Sequence, residues 1–460
     1  KQSQSYSAVT DTLRRSIMSA VSVLEEGASE REGAPITNKS SSPDEAPPST
    51  TTKTLSYVEF YCGVGGWTMA LEEAVQRIVG IDSTTTIKLE RLAALDHSDL
   101  CLGVLQHNFP SSASPTATST NDKKKKRRRI EKTVAIERLS LKQVQDWHAD
   151  IWVMSPPCQP HTRQHVNQQE DVDDPRSKSF LHLLQLLQHE LSEDSLPQLI
   201  LLENVVGFES SKSCDQWRRA LEQRHYRTAH FHLTPTQVGL PNDRPRYFCV
   251  AVRCGENATN SEDEWSTLLT SEDAKEPISI RTQLLEMGIV PPLEQSTLLP
   301  PISSFLDKVQ QENLCVPAKL LNSQAAWCFD IVTPANNTSN ARRSSACFTS
   351  SYGKFVRGTG SVLYEGKDNA DLLSLQSPQD RQFDATWAEG LQLEQNLRYF
   401  SGSEMARLFG FAPRFEFPPL TSMKQQWKLM GNSLNVRVAA RLCELGLRVV
   451  LKKKKKGTMN

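Results

Sequence analysis

Three short runs of this chain, DIWVMS (150–155), QLILLEN (198–204) and RYFCVAVR (246–253), are apolar almost from end to end. A strand with water on one face alternates apolar and polar residues; a strand that is apolar throughout is covered on both faces. A fourth run, LSYVEF (55–60), leads through glycines into the helical pattern GWTMALEEA. Helical spacings also fill the gaps between the runs, as in SFLHLLQLLQHEL (179–191) and CDQWRRALEQR (214–224). Strands alternating with helices predict an α/β fold, a parallel sheet with helices on both faces.

The sheet cannot use the whole chain. Only 38% of the 460 residues are hydrophobic, so tails and loops are expected beside the core. Residues 1–52 contain NKSSSPDEAPP and read as a disordered tail; 8–24 has amphipathic spacing, but Glu25 and Glu26 oppose a transit peptide there. Residues 111–133 form a polar insert with seven consecutive basic residues, Lys123–Arg129, and a second basic run, Lys452–Lys456, lies in 452–460. The 53 basic and 53 acidic residues cancel, so bulk charge names no partner. The basic runs are read as solvated charge, with a nuclear address or phosphate attraction as the functional alternatives. GENATNSEDEWSTLLTSEDAKEP (255–277) reads as an acidic surface loop.

Ten cysteines are scattered without a Cys-x-x-Cys pair or a His/Cys cluster, which argues against a disulfide framework and against a metal site. A reducing compartment, cytoplasmic or nuclear, is expected. No apolar run approaches the roughly 20 residues that span a bilayer.

The chemistry-bearing residues stand where the strands end. EFYCGVGG puts Gly63, Gly65 and Gly66 after a strand, where missing Cβ atoms allow a tight turn or the close approach of a ligand. The turn lacks the full G-x-G-x-x-G of dinucleotide sites and the G-K-[ST] of phosphate loops, and suits a ligand without pyrophosphate, such as S-adenosylmethionine. A ribose would need an acid at the end of the second strand. Asp82, ending IVGID, and Asp96, ending LAALD, both qualify, and periodicity does not choose between them. In VMSPPCQPHTR (153–163), Pro156, Pro157 and Pro160 stiffen a loop around Cys158, a setting that favours a nucleophile over a packed thiol. Glu203 ends QLILLEN in apolar surroundings, which suits an acid kept protonated by desolvation. Arg244 and Arg246 alternate into RYFCVAVR and share one face, facing an anionic or carbonyl-bearing ligand.

In order, FYCGVGG, SPPCQPHTR, LLENVVGFE, TPTQVGLPNDRPRYF and LMGNSLNVRVAARL resemble the motifs of cytosine-C5 methyltransferases. CFTSSYGKFVRGTGSVL (347–363), DDPRSKSFLHLLQLL and LRYFSGSEMARLFGFAPRFEFP are similar to the branch of DNA-methyltransferase homologues that acts on tRNA, at cytosine 38 of aspartate tRNA. The resemblance covers roughly 55–110, 135–253 and 315–451. It implies a Rossmann-like S-adenosylmethionine-dependent methyltransferase sheet with a smaller inserted target-recognition lobe. The corresponding boundaries are a catalytic domain at 53–254, the lobe at 255–400 and a C-terminal return at 401–451.

The same resemblance implies Cys158 as nucleophile, Glu203 as the acid on the ring, and Arg244 and Arg246 as active-site supports. It selects Asp96 through ALDHSDLCLGVLQHNFP (94–110) and places Ile136 and Glu137, in AIERLS, beside the adenine. Phe60, Gly63, Gly65, Gly66, Trp67, Pro157, Asn432 and Ser433 complete the implied cofactor site. Gln159, Thr162, Arg163, Cys347, Phe348, Thr349, Tyr352 and Lys354 are the implied substrate contacts. CFTSSYGKFVRGTG fits a nucleic-acid edge, with Lys354, Arg357, Tyr352 and Phe355 among glycines, or an ordinary hairpin. His161 stands where the family usually has Phe, and Cys62 where Ser is usual. The implied partner is tRNA, with DNA as the alternative substrate, and the chain is expected to act as a monomer. A catalytically silent nucleic-acid-binding protein and a cysteine hydrolase using His161 or His165 are the rival classes.

Overall fold

A computed structural model describes residues 51–81, 85–110, 130–157, 177–254, 299–308, 314–321, 328–334, 344–366 and 393–456, all within the compact unit Thr50–Asn460. Its main sheet has seven strands: β1 (Thr51–Phe60), β2 (Thr85–Asp96), β3 (Ile130–Thr133), β4 (Ile151–Met154), β5 (Leu199–Val205), β6 (Tyr226–Leu233) and β7 (Arg246–Arg253). Their order is β3-β2-β1-β4-β5-β7-β6. From β3 to β5 all neighbours are parallel, but β7 runs antiparallel to both β5 and β6. The expectation of a wholly parallel sheet is therefore corrected at β7. Its residues Tyr247–Val252 are buried, as an apolar run should be, but burial on both faces carries no information about direction.

Alternate residues along the strands feed two cores. Leu55, Tyr57, Val153, Leu201 and Phe248 share one apolar cluster with α1 (Gly66–Ile81) and α2 (Asp99–Asn108). Val58, Phe60, Trp152, Ile200 and Leu202 face α3 (Leu141–Trp147), α4 (Lys178–Gln185) and α5 (Lys212–Gln223). Each buried aliphatic or aromatic side chain contributes about 1.5–3 kcal/mol, so both layers are fixed by many small terms. Serines start several of the helices. Ser140 and Gln143 form a reciprocal capping box on α3, and Ser211 accepts from Cys214 N at 3.0 Å on α5.

The C-terminal part supplies α6 (Gly402–Leu408), α7 (Met423–Gly431) and α8 (Val436–Lys456). α8 packs on α1, β5 and β7. A Cβ on Gly446 would stand 2.5 Å from the Leu199 side chain, so a larger residue there would force Leu199 or α8 to move. Glu444, wholly buried on α8, pairs with Arg77 of α1 at 2.7 Å and with Arg448.

The smaller lobe carries a three-stranded sheet, β8 (Asp330–Val332), β9 (Ser361–Tyr364) and β10 (Leu397–Arg398), in the order β10-β9-β8. Val332, Leu363 and Leu397 join the same apolar cluster as α1 and α8.

Three boundaries differ from the sequence reading. β1 begins at Thr51, inside the stretch read as tail, and β3 uses the last four residues of the stretch read as an insert. The Lys452–Lys456 run continues the helical backbone of α8. The remainder of the tail, Lys123–Arg129 and 255–277 lie outside the described residues.

Candidate active site

The carboxyl ends of β1, β2, β4 and β5 and the amino end of β7 meet at one edge of the sheet. The reversal of β7 brings Arg244 and Arg246 there; in a parallel strand they would lie at the opposite edge. Met154 pairs with Leu202, so Ser155 leaves β4 next to Glu203, which stays in β5 opposite Phe248 of β7. Pro156 is buried and Pro157 is exposed. The next residue is Cys158. Cys158, Gln159, His161, Thr162 and Arg163 lie outside the described residues.

Glu203 is buried, and Arg246 Nε stands 3.3 Å from its Oε1. The purely apolar surroundings expected for Glu203 are thus corrected to an ion pair. Arg246 lies opposite Val205 in the antiparallel register, one diagonal step from Glu203, within reach of a long side chain. Arg244 is enclosed. Its Nη1 donates to Phe348 O at 2.6 Å, and its Nη2 donates to Gly431 O at 3.0 Å and Ser433 O at 2.7 Å. Its guanidinium also stacks 4.8 Å from the Phe409 ring. The expectation that it faces a ligand carbonyl is corrected: the carbonyls it holds belong to the chain, and it braces three segments together. Burial, and then the charge of Arg246, depress its pKa from the ordinary value.

Cys347 joins this cluster, with Sγ 3.3 Å from Arg244 Nη1 and 3.8 Å from Arg246 Nη2. Burial alone would raise its pKa; Arg244 and then Arg246 outweigh that and hold the thiol below its ordinary value.

The glycine turn lies beside β2. IVGI belongs to the end of α1, Asp82 is outside the described residues, and β2 ends on Asp96. Asp96 Oδ2 accepts from Gly63 N at 2.9 Å and Oδ1 from Ser98 N at 2.9 Å. Gly63 has φ +50°, and a Cβ there would project into open space. A Cβ on Gly65 would stand 2.7 Å from the Phe109 ring, and one on Gly66 3.0 Å from Leu434. The Asn432–Ser433–Leu434 turn therefore rests on the glycine turn, and Arg244 ties that turn to the Glu203 side. Trp67 is buried with its indole N–H donating to Ser155 Oγ at 3.0 Å. Ile136 is buried and Glu137 exposed on the short turn that follows β3. Cys62 is buried, and burial first, then Glu59 and Asp96, push its thiol well above the ordinary range, so it serves as packing.

Phe60 is corrected. Its ring is fully enclosed between Trp147 and Trp152, with no surface left for a ligand. Its neighbour Tyr61, missed in the sequence reading, takes φ +54°, is partly exposed and donates to Ser179 Oγ at 3.0 Å. Glu59 was missed too. It is wholly buried; Trp67 N donates to its Oε1 at 3.2 Å and Thr68 Oγ1 to its Oε2 at 2.5 Å, so it caps the start of α1. Burial pushes its carboxyl up to about 7 against the hydrogen bonds that favour the charge. The available signal was a lone acid inside the apolar run YVEF.

Two of the implied substrate contacts are also corrected. Phe348 is fully buried against Tyr352, Phe400 and Phe409. Tyr352 is buried, its hydroxyl donating to Ser361 O at 2.7 Å and accepting from Phe400 N at 3.0 Å. Both rings support the lobe. Thr349 is half-buried and closes the turn through its N–H to Thr359 O at 2.9 Å, while Lys354 is exposed.

Residues 55–445 match the family of C-5 cytosine-specific DNA methylases. A tRNA (cytosine(38)-C(5))-methyltransferase of Bos taurus is 30% identical, over 85% of this chain and 98% of its own length. A DNA (cytosine-5)-methyltransferase of Dictyostelium discoideum is 31% identical, over 85% and 94%. The crystal structure of S. pombe Dnmt2 methyltransferase superposes with a TM-score of 0.61 at 26% identity, covering 86% of this chain and 99% of that one.

Proposed function

This chain belongs to the C-5 cytosine-specific DNA methylase family, and we propose that it moves a methyl group from S-adenosylmethionine to C5 of cytosine 38 in the anticodon loop of a tRNA, aspartate tRNA first among them. The observation that carries the reading is the shared edge: β4 ends at Met154, opposite Leu202, so the stretch entering Cys158 leaves β4 next to Glu203, which is still held in β5 and paired with Arg246. The relatives named for tRNA cytosine 38 support RNA over DNA. DNA is the second reading, favoured by the Dictyostelium relative.

S-adenosylmethionine supplies an electrophilic methyl. The residues present suit it: open space above Gly63, the Asp96 carboxylate, partly exposed Tyr61 and the Asn432–Ser433 turn, without the phosphate-binding loop that a dinucleotide needs. Cytosine C5 is a poor nucleophile until C6 is attacked. The Cys158 thiolate forms a bond to C6, and the displaced electron pair is accommodated at N3, which Glu203 protonates once it has taken up a proton from solvent. C5 then takes the methyl. A water takes the C5 proton; the pair left behind restores the C5–C6 double bond, the Cys158–C6 bond breaks with its pair returning to sulfur as thiolate, and N3 returns its proton to Glu203. Arg246 holds Glu203 in place, and Arg244 fixes the segments on either side. An unpaired loop base is cheaper to extrude than one in a duplex, which suits a chain whose recognition lobe is small. Action as a monomer in the cytoplasm or nucleus belongs to the same proposal.

The test is covalent trapping. With S-adenosylmethionine and an anticodon stem-loop carrying 5-fluorocytosine at the target, the wild type should give an adduct stable to denaturation and Cys158→Ala none. An adduct of equal yield with Cys158→Ala would overturn the assignment of the nucleophile.

A further inference from the structure

Phe355 is 57% exposed, in a protein that buries nearly every other large apolar side chain among its described residues. It is not on a loose loop. Its N–H donates to Ser351 O at 3.2 Å, and its carbonyl accepts from Thr359 Oγ1 at 2.7 Å. Lys354 N also donates to Ser351 O, and Thr349 N closes the turn on Thr359 O. On one side of Phe355, Val356 packs on the core; three residues before it, the buried Tyr352 ring stands against Tyr399 and Trp427. The backbone is therefore pinned while the ring is left in water. A single exposed apolar side chain is ordinary on a protein surface, as Leu420 shows at 97% exposed, so the pinned backbone and the cations beside the ring carry the argument.

The surroundings select what covers it. Lys354 and Arg357 are exposed on the same turn, and Lys354 Nζ lies 5.2 Å from the Phe355 ring. The turn grows out of Cys347 and Phe348, the residues in contact with Arg244 and, through Cys347, with Arg246 of the Glu203 pair. A rigid exposed ring flanked by two cations is the composition of a single-strand stacking platform: a base covers the ring, and the cations take neighbouring phosphates. A protein partner would be expected to meet a wider apolar patch than one ring.

We propose that Phe355 stacks on an unpaired base of the RNA loop that carries the target cytosine, with Lys354 and Arg357 on the adjoining phosphates. The proposal rests on the reading of RNA as substrate and adds where the flanking loop is held. Stacking of a base on an aromatic side chain contributes about 1–3 kcal/mol, about 5-fold to 150-fold in affinity.

The experiment uses the full chain and anticodon stem-loops carrying 2-aminopurine, or an abasic site, at each loop position other than the target. With the wild type, fluorescence should be quenched on binding at one position. Phe355→Ala should abolish that quenching and weaken stem-loop binding at least fivefold, and Phe355→Trp should restore both. On the stem-loop abasic at that position, wild type and Phe355→Ala should bind alike. Binding of S-adenosylhomocysteine and the melting temperature serve as controls for folding. Unchanged stem-loop binding by Phe355→Ala overturns the platform, as does full rescue by Phe355→Leu or an equal weakening on every abasic stem-loop. If the wild type binds the stem-loop through Phe355 without methylating it, the reaction fails and the platform stands. If it methylates normally and Phe355→Ala binds normally, the platform fails and the reaction stands.

Discussion

The turn at 63–66 and the turn at 353–360 look alike as sequence, both rich in glycine beside aromatics, yet Gly63 of the first and Gly353 of the second sit in opposite surroundings. At Gly63 a Cβ would point into open space. At Gly353 it would stand 2.3 Å from the Trp427 ring, and at Gly360 2.5 Å from Phe348. Gly63 faces a volume left open; Gly353 and Gly360 let backbone press onto rings that support the lobe, as Gly65 and Gly66 let it press onto Phe109 and Leu434. Glycine in a sequence reports that a Cβ is unwelcome, not whether a ligand or the protein takes its place.

The largest effect on stability is expected at the crowded turn. Gly353→Ala combines overpacking with a backbone at φ +71°, and should cost about 3 kcal/mol in chemical unfolding. Gly63→Ala meets no neighbour and should cost about 1 kcal/mol, the strain of its φ alone, while weakening S-adenosylhomocysteine binding at least tenfold in calorimetry. Equal unfolding costs for the two, with ligand binding intact in Gly63→Ala, would erase the distinction.

A smaller effect tests how the open turn is held. Burial raises the Glu59 carboxyl from its ordinary value near 4.5 to about 7, so the folded chain binds that proton more tightly than the unfolded chain does. Its contribution is complete below about pH 4.5, declines as the pH rises to about 7, and is flat above that. Glu59→Gln should remove this decline from a series of unfolding curves between pH 5 and 8. A slope identical to that of the wild type would show that Glu59 is not what the folded state titrates.

Much of this was legible in the sequence, and the failures have physical causes. The apolar runs located β1, β4, β5 and β7 because burial on both faces leaves a mark on every residue. The direction of β7 leaves no such mark, yet that reversal is what lets Arg246 reach Glu203. β6 escaped notice because Arg227, Thr228, His230 and His232 interrupt its apolar pattern. Phe60 came from the resemblance, and the sequence alone does not separate it from its aromatic neighbour Tyr61 beside the glycines. Only the backbone twist at Tyr61 decides which ring faces outward. Tyr352 looked like a nucleic-acid contact for the same reason that Phe355 did, and burial separates them. Asp96 over Asp82 came from the resemblance, and β2 does end there.

The central claim is the reaction and its target. The direct measurement incubates the chain with S-adenosylmethionine and, in parallel, total tRNA and duplex DNA, followed by bisulfite mapping of the product. C5 methylation is expected at cytosine 38 of aspartate tRNA, absent with Cys158→Ala, with little or none in duplex DNA. Methylation of DNA at equal or greater rate, or no Cys158-dependent methyl at position 38, would contradict it.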